Sequence, residues 1–302
     1  MAIITSQNVA NAIVKLVAVD ALPVLLGNLQ MGNLVNRDFE PILANAGDTI
    51  NVPIPPNMTA NNIAEGGSVQ PQAPSLGNAQ IVLNTHAEAT FQIPDVTKVL
   101  AVPDLIKVYM GPAVKAIAEK IETDLLSLYP QFTFNTPVGT ANTPVTEAVI
   151  DSAETAMFLA KCPENEQKWL AVDASSYSAL RQIERLSEMR MTGQPGADAI
   201  ISGLFNKQVK GFNVFRSQYV VKTGGTNTHN LGFQRNALGL VIRRLPQPLP
   251  GTGAIAEYAE LGNFGVRVIM SYQPNTLAQQ FTVDVLDGCG ILRNEQGIQV
   301  NS

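Results

Sequence analysis

Apolar residues recur at three- and four-residue steps along one extended stretch of the chain. Leu105, Tyr109, Ala113, Ile117, Ile121, Leu125 and Leu128, joined by Ile106, Met110, Val114 and Ala118, predict an amphipathic helix over 103–129, with Pro103 and Asp104 in its first turn. At about 1.5 Å per residue it would be about 40 Å long. Gly111-Pro112 falls inside it and is expected to bend or interrupt it, because proline lacks the amide proton and its ring crowds the carbonyl four residues back. Weaker helical patterns cover 6–26, opened by Ser6, and about 143–160. In the second, Thr143-Pro144 followed by Glu147 is the expected start, and Val145, Val149, Ala153, Ala156 and Leu159 are the expected buried side. Asp173 is placed to cap a further helix through Leu180.

Alternation takes over elsewhere. Ile50, Val52 and Ile54 alternate with Thr49, Asn51 and Pro53, and over 79–93 Ile81, Leu83, Thr85, Ala87 and Ala89 share one parity, so both stretches read as strands. Between them, 56–78 carries Glu65, Gly66, Gly67, Pro71, Pro74 and Gly77 and too few apolar residues for a core. The pair is therefore expected to form an extended two-stranded loop that lies on something else. Shorter strands are expected at 169–172, 212–220, 238–243, 264–272 and 279–285, with a turn-rich 191–203, a loop at Gly224-Gly225 and an ending in Gly288 and Gly290. The order of elements is that of an α+β protein, and no repeat of fixed period is present.

Composition sharpens this picture. Only 15% of the residues are charged, against about 25% in a typical globular protein. With 45% hydrophobic residues, 23 glycines and 19 prolines the chain is folded and rich in turns. Its charge-poor surface then either meets other subunits or is a neutral Asn-, Gln- and Thr-rich solvent face. A net charge of −5 argues against wrapping a nucleic-acid backbone with the whole molecule, since that needs clustered Lys and Arg, and leaves room only for a local basic face. Cys162 and Cys289 cannot build a disulfide framework, which suits a reducing compartment. The stretch 9–26 is interrupted by Asn11, Lys15, Asp20 and Pro23, so neither a leader nor a membrane span is expected.

Candidate chemistry is sparse. His86, in an expected strand, and His229, in an expected polar loop, are paired at no helical spacing with Asp, Glu or Cys. Glu119 and Glu122 are read as surface salt-pairing groups beside Lys115 and Lys120, and the pairs Asp38 with Glu40 and Asp284 with Asp287 carry no pattern. Gly66-Gly67, Gly224-Gly225 and Gly251-Thr252-Gly253 lack the loop-to-helix setting of a phosphate cradle. Arg181, Arg185, Arg190, Arg235, Arg243 and Arg244 suggest at most a weakly positive lining or bridges to neighbouring subunits. No catalytic, cofactor-binding or metal site is expected.

Three segments carry a resemblance. Phe91-Gln92-Ile93-Pro94-Asp95 leads into Val102-Pro103-Asp104-Leu105-Ile106 and the helix ending near Leu128; Gly211-Phe212-Asn213-Val214-Phe215-Arg216-Ser217 follows; Gly265-Val266-Arg267-Val268 to Leu292-Arg293 closes the chain. In these, and in their order along nearly its whole length, the chain resembles the major capsid proteins of tailed bacteriophages with the Hong Kong 97-type fold, most of all the podovirus coat branch. The resemblance implies an N-terminal arm at 1–45, an extended E-loop at 46–92, a peripheral domain with a long spine helix at 93–131 and 263–302, and an axial domain at 132–262. It implies a virion structural protein made in the host bacterial cytoplasm, whose copies assemble as hexamers and pentamers into an icosahedral head around double-stranded DNA. A scaffolding protein, a portal protein and a decoration protein are the implied partners, the DNA being touched nonspecifically. Glu65, Gly66, Gly67, Pro71, Pro74, Asp104, Tyr109, Gly224 and Gly225 are the implied subunit-interface residues. The 132–262 stretch is too short for the large insertion domain of the best-known podovirus coat protein, and no crosslinking pair is expected. A hydrolase or transferase with a scattered site, or a tail or adhesive structural protein, are the competing readings.

Overall fold

The long helix is present: α1 runs Pro103–Ser127 without interruption. The computed structural model describes residues 14–15, 29–39, 48–56, 58–63, 65–69, 71–73, 76–96, 103–183, 208–243, 245–249, 253–261 and 264–302, with backbone alone at 103–107, 259–261 and 264. Contrary to expectation, Pro112 does not break α1. It and Val108 lie on the solvent side, where water can take the bond that the missing amide would have made. The buried stripe is Met110, Val114, Ile117, Ala118, Ile121, Leu125, Leu126 and Leu128, rotated from the sequence reading so that Tyr109 is left half-exposed. Of the predicted 6–26 helix, Val14 and Lys15 are helical and Val14 is fully buried, while the remainder falls outside the described residues, as does 191–203.

Twelve strands are described. β1 (Thr49–Ile54) and β2 (Gly77–Val82) form an antiparallel hairpin. The strand expected over 79–93 is divided at Leu83 and Asn84, because β3 (Thr85–Pro94) leaves the hairpin and pairs with β11 (Ala278–Ile291). β11 also pairs with β10 (Phe264–Gln273), which pairs with β9 (Ile255–Leu261), and its last part pairs with β8 (Leu238–Arg243). This five-stranded sheet lies under α1. A second five-stranded sheet has the order β12 (Gly297–Asn301), β7 (Asn227–Gln234), β4 (Lys168–Val172), β5 (Phe212–Arg216), with β6 (Lys222–Thr223) on β7. Among the described strands only the β4–β5 pair is parallel.

Helices α2 (Glu147–Leu159) and α3 (Ala174–Arg181) belong to the second sheet. α2 starts at Glu147, after Thr143-Pro144 instead of on it, and buries Ile150, Ala153 and Met157. Leu159, expected inside, is 74% exposed. Asp173 caps α3 as predicted, accepting from the Ser175 amide at 3.1 Å.

Three apolar clusters result. The first lies between α1 and the larger sheet, the second between the smaller sheet and α2 and α3, and the third beneath the β1–β2 hairpin. β11 serves two of them, by the period-two geometry of a strand. Its odd residues Phe281, Val283 and Val285 face α1, and its even residue Leu286 faces the hairpin. The strand expected over 279–285 thus continues through Gly288 and Gly290 instead of stopping before them.

Candidate functional site

The hairpin continues beyond its base as a polar, glycine- and proline-punctuated tip. Glu65 and Gly66 form a turn with Gly66 at φ +81°, and Glu65, Gly66, Gly67 and Pro71 are all exposed. The Thr59 amide donates to Gln72 Oε1 at 3.1 Å, and the Gln72 amide group returns a bond to the Thr59 carbonyl. Met58, Ile63, Val69 and Leu76 are 66%, 52%, 76% and 70% exposed. Four large apolar side chains on one excursion are a concentration that a free surface does not favour. Pro74 falls outside the described residues.

The base of the hairpin is seated closely. A Cβ on Gly288 would stand 2.5 Å from the Val82 carbonyl oxygen, and one on Gly290 would stand 2.9 Å from that of Gln80. The missing side chains at these two positions let the hairpin backbone lie this near. Ile50, Val52, Ala79, Ile81 and Leu83 then close the third cluster with Val241, Leu286 and Leu292.

A second docked segment is 29–39. Leu29, Met31 and Val35 enter the first cluster, and Asn36 bridges to the outer edge of β8, donating to the Leu238 carbonyl and accepting from the Leu240 amide, both at 3.0 Å. Glu122 of α1 holds it: its Oε1 accepts from the Gly32 amide at 3.1 Å, and the Met31 and Gln30 amides also point at the carboxylate. Burial pushes the Glu122 carboxyl upward, against the pull of those three amides. The expectation of a surface role is therefore corrected for Glu122, which is 2% exposed. Glu119, 3.7 Å from Lys115, keeps that role.

The other expected residues do not converge. Asp104 lies in the first turn of α1, and Tyr109 packs against Phe91 with ring centroids 5.8 Å apart, Phe91 being stacked in turn on Phe281. Gly224 and Gly225, at φ +64° and +82°, make the exposed turn between β6 and β7. The eight candidates among the described residues are thus spread over a hairpin tip, the start of α1 and a turn at the second sheet.

Both histidines have partners that sequence spacing did not reveal. His86 Nε2 lies 3.0 Å from Asp284 Oδ2, and Arg267 grips the same carboxylate through Nε at 2.9 Å and through a second nitrogen. This ties β3, β11 and β10 together. His229 is buried in β7, not in a loop, stacked on Tyr129 and bonded to Thr223, Asn301 and Gln299 at 2.8, 2.9 and 2.8 Å. Arg235 is paired with Asp38 at 3.1 Å.

A hollow of about 590 Å³ beside α3 is lined by Ser175, Ser176, Ser178, Thr226, Thr228 and Ser302. Its innermost groups are spent on one another, with Ser176 and Ser302 hydroxyls 2.8 Å apart and Asn230 donating to both at 3.1 Å. Burial pushes the thiols of Cys162 and Cys289 up to about 11 and about 12, which leaves neither a nucleophile at neutral pH. Among the described residues no three His, Cys, Asp or Glu side chains are placed to hold a metal ion, and no helix is long and apolar enough to cross a membrane. What the geometry offers is docking: a polar tip that exposes four large apolar side chains, a docked segment and a seat.

Comparison with known folds bears on what docks. No family model matches the chain, and no curated protein matches it in sequence. A structure from Mycobacterium phage Che8 superposes with a TM-score of 0.66 at 15% identity, covering 90% of each chain. The capsid of cyanophage P-SCSP1u gives 0.61 at 19% identity over 85% of this chain and 84% of that one. The capsid of a native GTA particle gives 0.64 at 10% identity over 91% and 90%. The fold is the Hong Kong 97-type capsid fold. The likeness extends over 90% and 91% of the chain in the first and third of these.

Proposed function

We propose that the chain is the major capsid subunit of a tailed bacteriophage, many copies of which close into an icosahedral head around double-stranded DNA. The observation that carries this is the match of nine-tenths of the chain to nine-tenths of a phage structure. The four large apolar side chains exposed on the hairpin tip support the reading, since none of the described residues covers them.

In this reading 1–45 is the N-terminal arm, 46–92 the E-loop, 93–131 with 263–302 the peripheral domain, and 132–262 the axial domain. Hexamers and pentamers are the assembly units. Glu65, Gly66, Gly67, Pro71 and Pro74 meet a neighbouring subunit, as do Asp104 and Tyr109 at the start of α1, and Gly224 and Gly225 lie towards the capsomer centre. A scaffolding protein, a portal protein and a decoration protein complete the particle, synthesis is in the bacterial cytoplasm, and a procapsid precedes the mature head. Placement in the podovirus coat branch rests on the sequence segments alone.

Sedimentation followed by negative-stain microscopy of the purified full chain, with and without its scaffolding partner, tests the proposal. Closed shells, or particles with sixfold and fivefold symmetry, are expected. A monodisperse monomer or dimer under every condition overturns it, and tubes or trimers would move the chain to a tail structure.

A further inference from the structure

The odd positions of β11 that face α1 run Phe281, Val283, Val285, Asp287, Cys289 and Ile291. All but one are apolar or nearly so, and the exception is completely buried: Asp287 has 0% exposure. Among the described residues neither of its carboxylate oxygens has a hydrogen-bond partner on another residue, its own backbone amide alone pulling against burial, which sets it apart from the satisfied carboxylates of Glu122, Asp173 and Asp284. A buried polar group left this way is costly, and more so when charged.

The position is a branch point of the sheet. Asp287 lies opposite Thr85, the last β3 residue paired with β11, on one side, and opposite Ile242 of β8 on the other. On the reverse face of the same strand, Gly288 carries the hairpin backbone. The charged groups that bear on Asp287 come from α1: Asp124 and Lys120. Lys120 is already bound to Asp124, at 2.5 and 2.7 Å from its two oxygens. The other ionisable groups of the surrounding strands are turned away or occupied. His86 of β3 and Arg267 of β10 are both held by Asp284, whose even number in β11 puts it on the opposite face. Arg243 of β8 is level with Leu286 on that opposite face as well. Cys289, on the same face, contributes a thiol that stays protonated.

We infer that Asp287 is a proton-operated latch between α1 and the sheet: protonated, it lets the helix lie flush on β11 with Lys120 bound to Asp124; ionised, it draws Lys120 inward and loosens that contact. The proton is exchanged with solvent, and no bond other than O–H is made or broken. Burial, reinforced by Asp124 and opposed by Lys120, brings the carboxyl up to about 7, which places the change near neutrality. This inference concerns the subunit itself and does not rest on the assembly reading.

Hydrogen exchange read by mass spectrometry on the full-length protein, in one assembly state, tests it. Peptides covering 115–128 and 281–291 are followed from pH 5.5 to 8.5, with exchange corrected for its intrinsic pH dependence, in the wild type and in Asp287→Asn. The wild type is expected to lose about tenfold in protection relative to the variant, with a midpoint near pH 7, and the variant to show no such step. Superimposable profiles for the two proteins overturn the latch. Lys120→Met supplies the second arm should Asp287→Asn not fold: without the lysine the step moves to higher pH, and an unmoved step overturns the proposed exchange of partners.

Discussion

Asp173 gives up water on folding and remains ionised. Burial pushes its carboxyl up, yet the Ser175 hydroxyl and amide and the Lys222 ammonium, 2.9 Å away, outweigh that and hold it at about 2, below the ordinary 3.8. The folded value is the lower one, so the contribution, about 2 kcal/mol by linkage, is complete above pH 4 and disappears as the pH falls through 2. Asp173→Asn is expected to lower stability by about that much at pH 7, read from urea melts, and to cost about 0.4 kcal/mol or less at pH 2. Asp287 has the reverse sign. With a folded value of about 7 against 3.8 in the unfolded chain, its favourable contribution is present below pH 3.8 and is lost as the pH rises through 7. Asp287→Asn should therefore melt at a higher temperature than the wild type at pH 8 and at the same temperature at pH 3.5. A third residue acts on chain order: Glu122→Ala leaves the Gly32 amide buried without its acceptor, a loss of about 1–3 kcal/mol. Limited proteolysis should then cut within 29–39 well before the remaining body, and equal cutting in the wild type would refute the anchoring role.

Among the elements, the seat under the hairpin makes the sharpest prediction. Gly288→Ala puts a methyl carbon where the Val82 carbonyl already is, so β2 has to lift. The variant is expected to lose several kcal/mol, as overpacked sites do at about 1–3 kcal/mol and more where backbone is struck. A melt within 0.5 kcal/mol of the wild type would show that the seat yields. The same glycines explain part of what the sequence left illegible. Read locally, Gly288 and Gly290 end a strand; the reason they do not lies on another element, β2, remote in the chain. β7 hid for a related reason: Thr228, His229 and Asn230 look like loop residues, and their burial becomes tolerable only through Thr223, Asn301, Gln299, Ser176 and Ser302. α1, β1 and β8 were legible because their apolar periodicity is their own, and the Asp173 cap because its acceptor and donor are two residues apart. Of the candidate site, the excursion at 56–78 was legible from its lack of core-forming residues. Glu122 was not, since the amides it serves lie 90 residues away.

For the whole molecule, the division between a packed body and an uncovered tip predicts separable effects. Replacing 58–73 by a short turn should leave the thermal melt of the subunit within a few degrees of the wild type while abolishing shells in sedimentation. Shells of normal size from that deletion would remove the tip from assembly. The dependence on β11 has a further consequence, for synthesis. β3 and the hairpin base are made early, but the strand that receives them is encoded far downstream: His86 meets Asp284 at a separation of 198 residues. At elongation rates of about 5–20 residues per second, that is a wait of roughly 10–40 s, with apolar strand edges and one face of α1 unclaimed. A nascent chain cannot shelter those surfaces by folding, so depleting holding chaperones is expected to send newly made chains into aggregates.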